Sequence, residues 1–111
     1  MANVEKTYQV VIDPVVNERM AGHMEFLARV SEEAADNLLE EMMAGVKSLQ
    51  KLPFRNPFYN RTYLSIDKYR SYLFGDGRYR VVYQMVGKFV FVDDVQDTRQ
   101  DEEKNIDTPH R

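Results

Sequence analysis

The spacing of apolar positions divides the chain into a helical first half and a strand-rich second half. Tyr8-Gln9-Val10-Val11-Ile12 is short, β-branched and apolar, and it reads as a strand. Asp13-Pro14 follows with the chemistry of a helix start. The Asp13 carboxylate can accept from free backbone N–H groups, and Pro14 at the first helical position forfeits no hydrogen bond. Val16, Met20, His23, Met24, Leu27 and Val30 then recur at helical spacing. Ser31 reads as a second cap, with Glu32 and Glu33 set against the positive end of the helix dipole. Ala35, Leu38, Leu39, Met42, Val46 and Leu49 give the second helix one apolar face, and Pro53 and Pro57 close it off. So short a connection between the helices predicts an antiparallel helical hairpin.

Beyond Pro57 the period changes. Tyr69 to Phe74 predicts a strand, Gly75-Asp76-Gly77 a turn, and Tyr79 to Val86 and Lys88 to Val92 two further strands around a tight turn at Gly87. The expected fold is α+β: an N-terminal strand, an antiparallel helical hairpin, then a three-stranded antiparallel meander. The helices are expected to cover one face of the sheet and leave the other open. Met20, Met24, Met42, Met43 and Met85 are expected in the helix–sheet core, or in part on an adaptable partner surface. From Asp101 to Arg111 the chain is polar and aperiodic, so the expected division is a folded domain over 1–101 and a disordered tail over 102–111.

Composition narrows the class. With 111 residues, 43% hydrophobic and 30% charged, the chain fits one ordinary domain with a modest core. No apolar run approaches the roughly 20 residues that span a bilayer, so no membrane partner is expected. Met1 to Lys6 lacks the pattern of a secretory signal. Cysteine is absent, which excludes disulfides and thiolate zinc and suits a reducing compartment; the expected localisation is cytoplasmic.

The net charge of −3 hides a segregation. Three bases face nine acids from Met1 to Val46, a local charge of −6. From Lys47 to Arg80 eight bases face two acids, a local charge of +6, and from Val81 to Arg111 four bases face seven acids, or −3. A basic middle of this kind suits a polyanion, although charge also varies along chains that bind none. Phe54, Phe58, Tyr59, Tyr63, Tyr69, Tyr72, Phe74, Tyr79 and Tyr83 all fall in that middle, interleaved with Arg61, Lys68, Arg70 and Arg78. Such rings can stack on bases while cations hold phosphates, but more often they pack a core. His23 is expected to pack within its helix, and His110 to lie in the tail. Alternation along a strand sends Asp93 and Asp94 to opposite faces, so with Asp97 and Asp101 they predict a solvated acidic strand end and no metal site. No cofactor is expected.

Taken in order, these pieces resemble the RelE/ParE superfamily of toxins from type II toxin–antitoxin systems. A strand followed by Asp13-Pro14, two helices linked through Ser31-Glu32-Glu33-Ala34-Ala35, then Leu52-Pro53, is similar to the opening of ParE-like plasmid stabilisation proteins. Lys68-Tyr69-Arg70-Ser71-Tyr72-Leu73-Phe74 and Arg78-Tyr79-Arg80-Val81-Val82-Tyr83-Gln84 resemble the family's hairpin, and Val92 to Asp101 its last strand and exit. The likeness runs over residues 8–101. It implies a twisted antiparallel sheet backed by the helical hairpin, and a cognate antitoxin that silences the toxin.

The resemblance leaves two targets: DNA gyrase, bound by ParE-type members, or the ribosome and its messenger RNA, cut by RelE-type members without a metal. If RelE-like, Arg80 takes the place of the strand arginine that steadies phosphate charge, and Arg99 lies near a second family arginine. Lys68, Arg70, Tyr72, Arg78 and Tyr79 are the candidate target-binding residues. Tyr72 stands where RelE-type members carry a lysine, and no tyrosine follows Tyr83. These departures favour the ParE-like reading, or a degenerate member that binds a partner without toxicity, over the endoribonuclease. A homodimer is compatible with all three.

Overall fold

The computed structural model describes residues 7–99. The expected tail over 102–111 therefore lies outside the described residues. Helix α1 spans Pro14–Ala28 and starts as its sequence requires, Val15 N–H donating to Asp13 Oδ1 at 2.9 Å. Helix α2 spans Glu32–Ser48, with Ala34 N–H donating to Ser31 Oγ at 3.1 Å. Each cap satisfies one of the backbone donors that a helix leaves free at its first turn.

Strand β1 is Gln9–Ile12, β2 Tyr69–Phe74, β3 Tyr79–Val86 and β4 Phe89–Asp97. They form one four-stranded sheet in the order β1-β4-β3-β2. The β2–β3 and β3–β4 pairs are antiparallel, as the meander requires, whereas β1 pairs with β4 in parallel, from Gln9 opposite Phe89 to Ile12 opposite Val92. The sheet is thus mixed and not the antiparallel sheet that the resemblance implies. The reason lies in the helical hairpin. It returns the chain to the start of β1, where Tyr8 N–H donates to Gln50 O at 2.7 Å. β2 leaves from the same end as β1, and two reversals of direction leave β4 running parallel to it.

Val16, Met20, Leu38, Met42, Val46 and Leu49 of the hairpin meet Phe74, Tyr79, Val81, Tyr83, Val90, Val92 and Val95 of the sheet in one core. Met24 and Met85 pack at its margin. Three expected apolar positions fall outside it. Val30 lies in the interhelical turn, and Leu39 and Met43 lie on the outer side of α2. A helix lying on a sheet buries only one stripe, and Leu38 and Met42 already fill it.

The opposite face is not fully open. Tyr59, Tyr63 and Leu64, from the irregular segment between α2 and β2, pack over Tyr69 and Val82. Strand β4 also runs well past Val92. Val82 pairs with Asp94 and Tyr83 with Val92, so Asp93 is an extra residue and β4 carries a bulge there.

Tyr72 crosses to α2 and donates its hydroxyl to Met42 O at 3.3 Å. A Cβ at Gly45 would come within 2.6 Å of that ring and hydroxyl, whereas one at Gly22 meets nothing within 4 Å. Gly45→Ala is therefore expected to cost about 1–3 kcal/mol through overpacking. Gly22→Ala should be neutral or gain up to about 1 kcal/mol from helix propensity. Thermal unfolding of the two variants checks the contrast; equal effects would mean that α2 does not approach β2 this closely.

Candidate interaction site

The register sorts the basic residues onto two faces. Arg80 lies opposite Leu73 on β2 and Gln96 on β4, on the side away from the helices. There its guanidinium sits 4.7 Å from the centroid of the Tyr59 ring, and that of Arg61 sits 4.3 Å from the same ring. Tyr59 is buried and donates its hydroxyl to Gln96 Oε1 at 3.3 Å. Two cations thus share one aromatic ring, which favours positive charge near its face. Lys68 adds a third, with Nζ 5.3 Å from the Tyr69 centroid. Arg61, Lys68 and Arg80 line the edge of the small cluster formed by Tyr59, Leu64, Tyr69 and Val82.

Beside this rim lies a buried polar row. Because Asp93 and Asp94 share one position in the bulge, both carboxylates engage side chains of the face away from the helices. Gln84 Nε2 donates to Asp93 Oδ2 at 2.6 Å, and Gln96 Nε2 to Asp94 Oδ2 at 3.1 Å. Asp94 also accepts from its neighbour Val95 N–H at 2.9 Å and forms a short ion pair with Arg19 of α1. The expected divergence of Asp93 and Asp94 is overturned by the bulge, and the expected solvated strand end is buried. Among the described residues no group of three or more histidine or carboxylate side chains is placed to hold a metal ion.

Arg78 and Arg99 gather elsewhere, on Asp97. Register puts Asp97 opposite Tyr79, on the helix-facing side. Arg78 Nε lies 3.7 Å from Asp97 Oδ2 and Arg99 Nε 3.5 Å from Oδ1, to which Arg99 N–H also donates at 3.0 Å. Burial by itself would raise the Asp97 carboxyl. The Arg99 backbone and side-chain hydrogen bonds, with the charges of Arg99 and Arg78, outweigh it and hold the group below its ordinary value.

The remaining expected site residues organise the protein. Arg70 donates to Asn56 O at 2.6 Å and to Phe54 O at 3.4 Å, with its guanidinium 4.0 Å from the Phe58 ring. It fastens the irregular segment to the sheet edge. Tyr79 is buried between Phe74 and His23, ring centroids 5.5 and 4.9 Å away. That contact also accounts for His23 as a packing residue. Tyr72 has its hydroxyl on α2, and burial, with a smaller contribution from Tyr83, pushes its ionisation far above the ordinary range. Burial raises Tyr83 as well, against the Asn56 hydrogen bond and the charges of Arg70 and Arg55. Its hydroxyl donates to Pro53 O in the same buried corner. Both phenols stay protonated and engaged with main-chain oxygens.

The described face thus joins Arg80 to Lys68 and separates them from Arg78 and Arg99. Arg19 is the participant that sequence reasoning leaves out, and Asp94 enters with a role other than the one expected for it. Tyr59 and Arg61 do belong to the interleaved aromatic and basic stretch, but no local spacing pairs them with Arg80. No protein-family model matches the chain, and no curated protein matches it. No helix among the described residues is long and apolar enough to cross a membrane.

Arg19 is 34% exposed and Asp94 only 1%, so removing the arginine strands a buried carboxylate. Arg19→Ala is expected to cost roughly 3 kcal/mol, and Arg19→Met with Asp94→Asn to recover part of it. Urea melts of the wild type and the two variants measure this, and a double variant no more stable than Arg19→Ala would deny that the stranded carboxylate causes the loss. Acidification tests Asp97. Its depressed ionisation supplies stability above the unfolded value of about 3.9, which is lost as pH falls through the lower folded value. Asp97→Asn should flatten that decline in acid melts; an unchanged slope would assign the acid sensitivity elsewhere.

Proposed function

We propose that the chain is the toxin of a type II toxin–antitoxin pair, ParE-like, which works in the cytoplasm by binding DNA gyrase and is silenced by a cognate antitoxin. The order of elements, strand, two helices and meander, supports the superfamily reading that the motifs suggest. One observation favours binding over messenger RNA cleavage. Arg80 faces away from the helices, while Arg99 belongs to the Asp97 cluster on the other side and Tyr72, in the place of the RelE-type lysine, is packed against α2.

Cleavage needs groups that move protons beside those that steady the phosphorane. Here the candidates for such roles are divided between faces, and the Tyr72 phenol is held in its protonated form by burial. Arg80 with Arg61 and Lys68 is better suited to hold an acidic or aromatic partner surface than to activate a ribose hydroxyl. Tyr59, in contact with both guanidiniums and itself hydrogen-bonded to β4, supports this reading by anchoring the two cations to the sheet.

Controlled expression in a bacterial host tests the reading. Growth arrest with filamentation and an induced DNA-damage response is expected, and Arg80→Ala should relieve it at equal expression and equal thermal stability. Rapid translation arrest with cut messages would establish the endoribonuclease instead. Unaffected growth would mark a degenerate member, and an Arg80→Ala variant as toxic as the parent would remove Arg80 from the site.

A further inference from the structure

Two exposed apolar patches of opposite charge lie at opposite ends of α2. At its N-terminal end a shallow groove of about 410 Å³ opens between the helices. Met24, Ala28 and Ala35 form its floor, and Glu25, Glu32 and Asp36 its rim. Val30, 82% exposed, stands at the hairpin tip nearby, and Leu39, one turn on from Ala35, is also solvent-facing. From Val30 to Val46 the chain has no basic residue.

Beyond the C-terminal end of α2 the surface has the reverse character. Leu52, Phe54 and Phe58 are 53%, 56% and 46% exposed. Arg70 stacks on Phe58, with Phe54 at 5.3 Å, and spends hydrogen bonds on main-chain oxygens, so the rings are held as a fixed platform. Lys47, Lys51 and Arg55 are exposed around it. From Lys47 to Ile66 there is no acidic residue. The helix between the patches is 17 residues long, which separates them by roughly 25 Å at 1.5 Å per residue.

We propose that the two patches are the halves of one interface, and that the platform of one copy of this chain docks in the hairpin groove of a second copy. Each half has what the other lacks: projecting apolar side chains with cations on one, an apolar recess with carboxylates on the other. Opposed potentials of this kind guide association and fix its orientation. A single chain cannot bring its own patches together across α2, so the pairing is intermolecular. Because different patches meet, the contact either closes reciprocally as a two-fold dimer or runs head-to-tail into rings or open chains. Toxicity and this association are separable properties, so either can fail alone.

Sedimentation equilibrium of the full chain, over a range of concentrations, tests the proposal. At low salt the average mass should rise above the 13.1 kDa monomer with concentration, and it should fall back in about 0.5 M salt, where the screening length is only a few ångströms. Glu32→Lys with Asp36→Lys should abolish the rise, as should Lys51→Glu with Arg55→Glu. An equimolar mixture of those two variants should restore it, because each then offers what the other lost. Leu52→Ser, a single exposed change, should weaken self-association about tenfold while leaving the thermal melt unchanged. A monomer at every concentration, association indifferent to both charge reversals, or a mixture that stays monomeric would each overturn the proposal. So would a monomer whose platform retains a labelled single-stranded oligonucleotide, which would identify nucleic acid as the occupant.

Discussion

A carboxylate buried to 1% exposure has to be neutralised by its neighbours, and the arrangement around Asp94 follows from that requirement. Its oxygens are met by Arg19 from α1, by Gln96 two residues along its own strand and by the Val95 backbone N–H. The arginine ties the first helix to the last strand, elements at opposite ends of the sequence. The bulge at Asp93 is the geometric condition for this network. With a regular strand the two aspartates would point to opposite faces, and one would enter the apolar helix-facing core. The extra residue lets both carboxylates meet amide side chains, and Val92 and Val95 can both still face the helices.

The path of the chain around the sheet follows from a second constraint. α2 ends beside the start of β1, while β2 leaves from that same end at the far edge, so the polypeptide first crosses the sheet. The irregular segment between α2 and β2 makes that crossing, and it is held by contacts that secondary structure would otherwise provide. Tyr59 N–H donates to Tyr69 O at 2.7 Å, Tyr83 and Arg70 donate to its carbonyl oxygens, and Phe54 meets Tyr8 edge-on. The same segment covers part of the second sheet face and carries two of the exposed phenylalanines, Phe54 and Phe58. Connection, cover and interaction surface are therefore one piece of chain.

Charge segregation along the sequence becomes segregation in space, although not along the lines of the linear counts. The acidic first half forms the hairpin, whose tip carries the carboxylate-rimmed groove. Within the basic middle, part of the positive charge is committed to structure. Arg70 holds the crossing segment and Arg78 neutralises Asp97. What the surface offers a partner is the remainder: a cationic rim around Tyr59 on one face, and the Phe54–Phe58 platform at the edge.

Local chemistry in the sequence determined the elements. Asp13-Pro14 and Ser31 start the helices where they are found, the apolar spacing marks Leu38, Met42 and Val46 as the buried stripe, and Gly87 breaks β3 from β4. These features depend on residues a few positions apart, so they can be read without knowing the fold. Tertiary structure alone decided the parallel placement of β1, the full length of β4 and the membership of the site. Asp93-Asp94-Val95-Gln96-Asp97 reads as polar surface because its partners are distant in sequence: Arg19 is 75 residues from Asp94, and Tyr59 is 37 from Gln96. Burial turns polar residues into strand only when distant groups neutralise them, and spacing along the chain carries no record of which groups those will be.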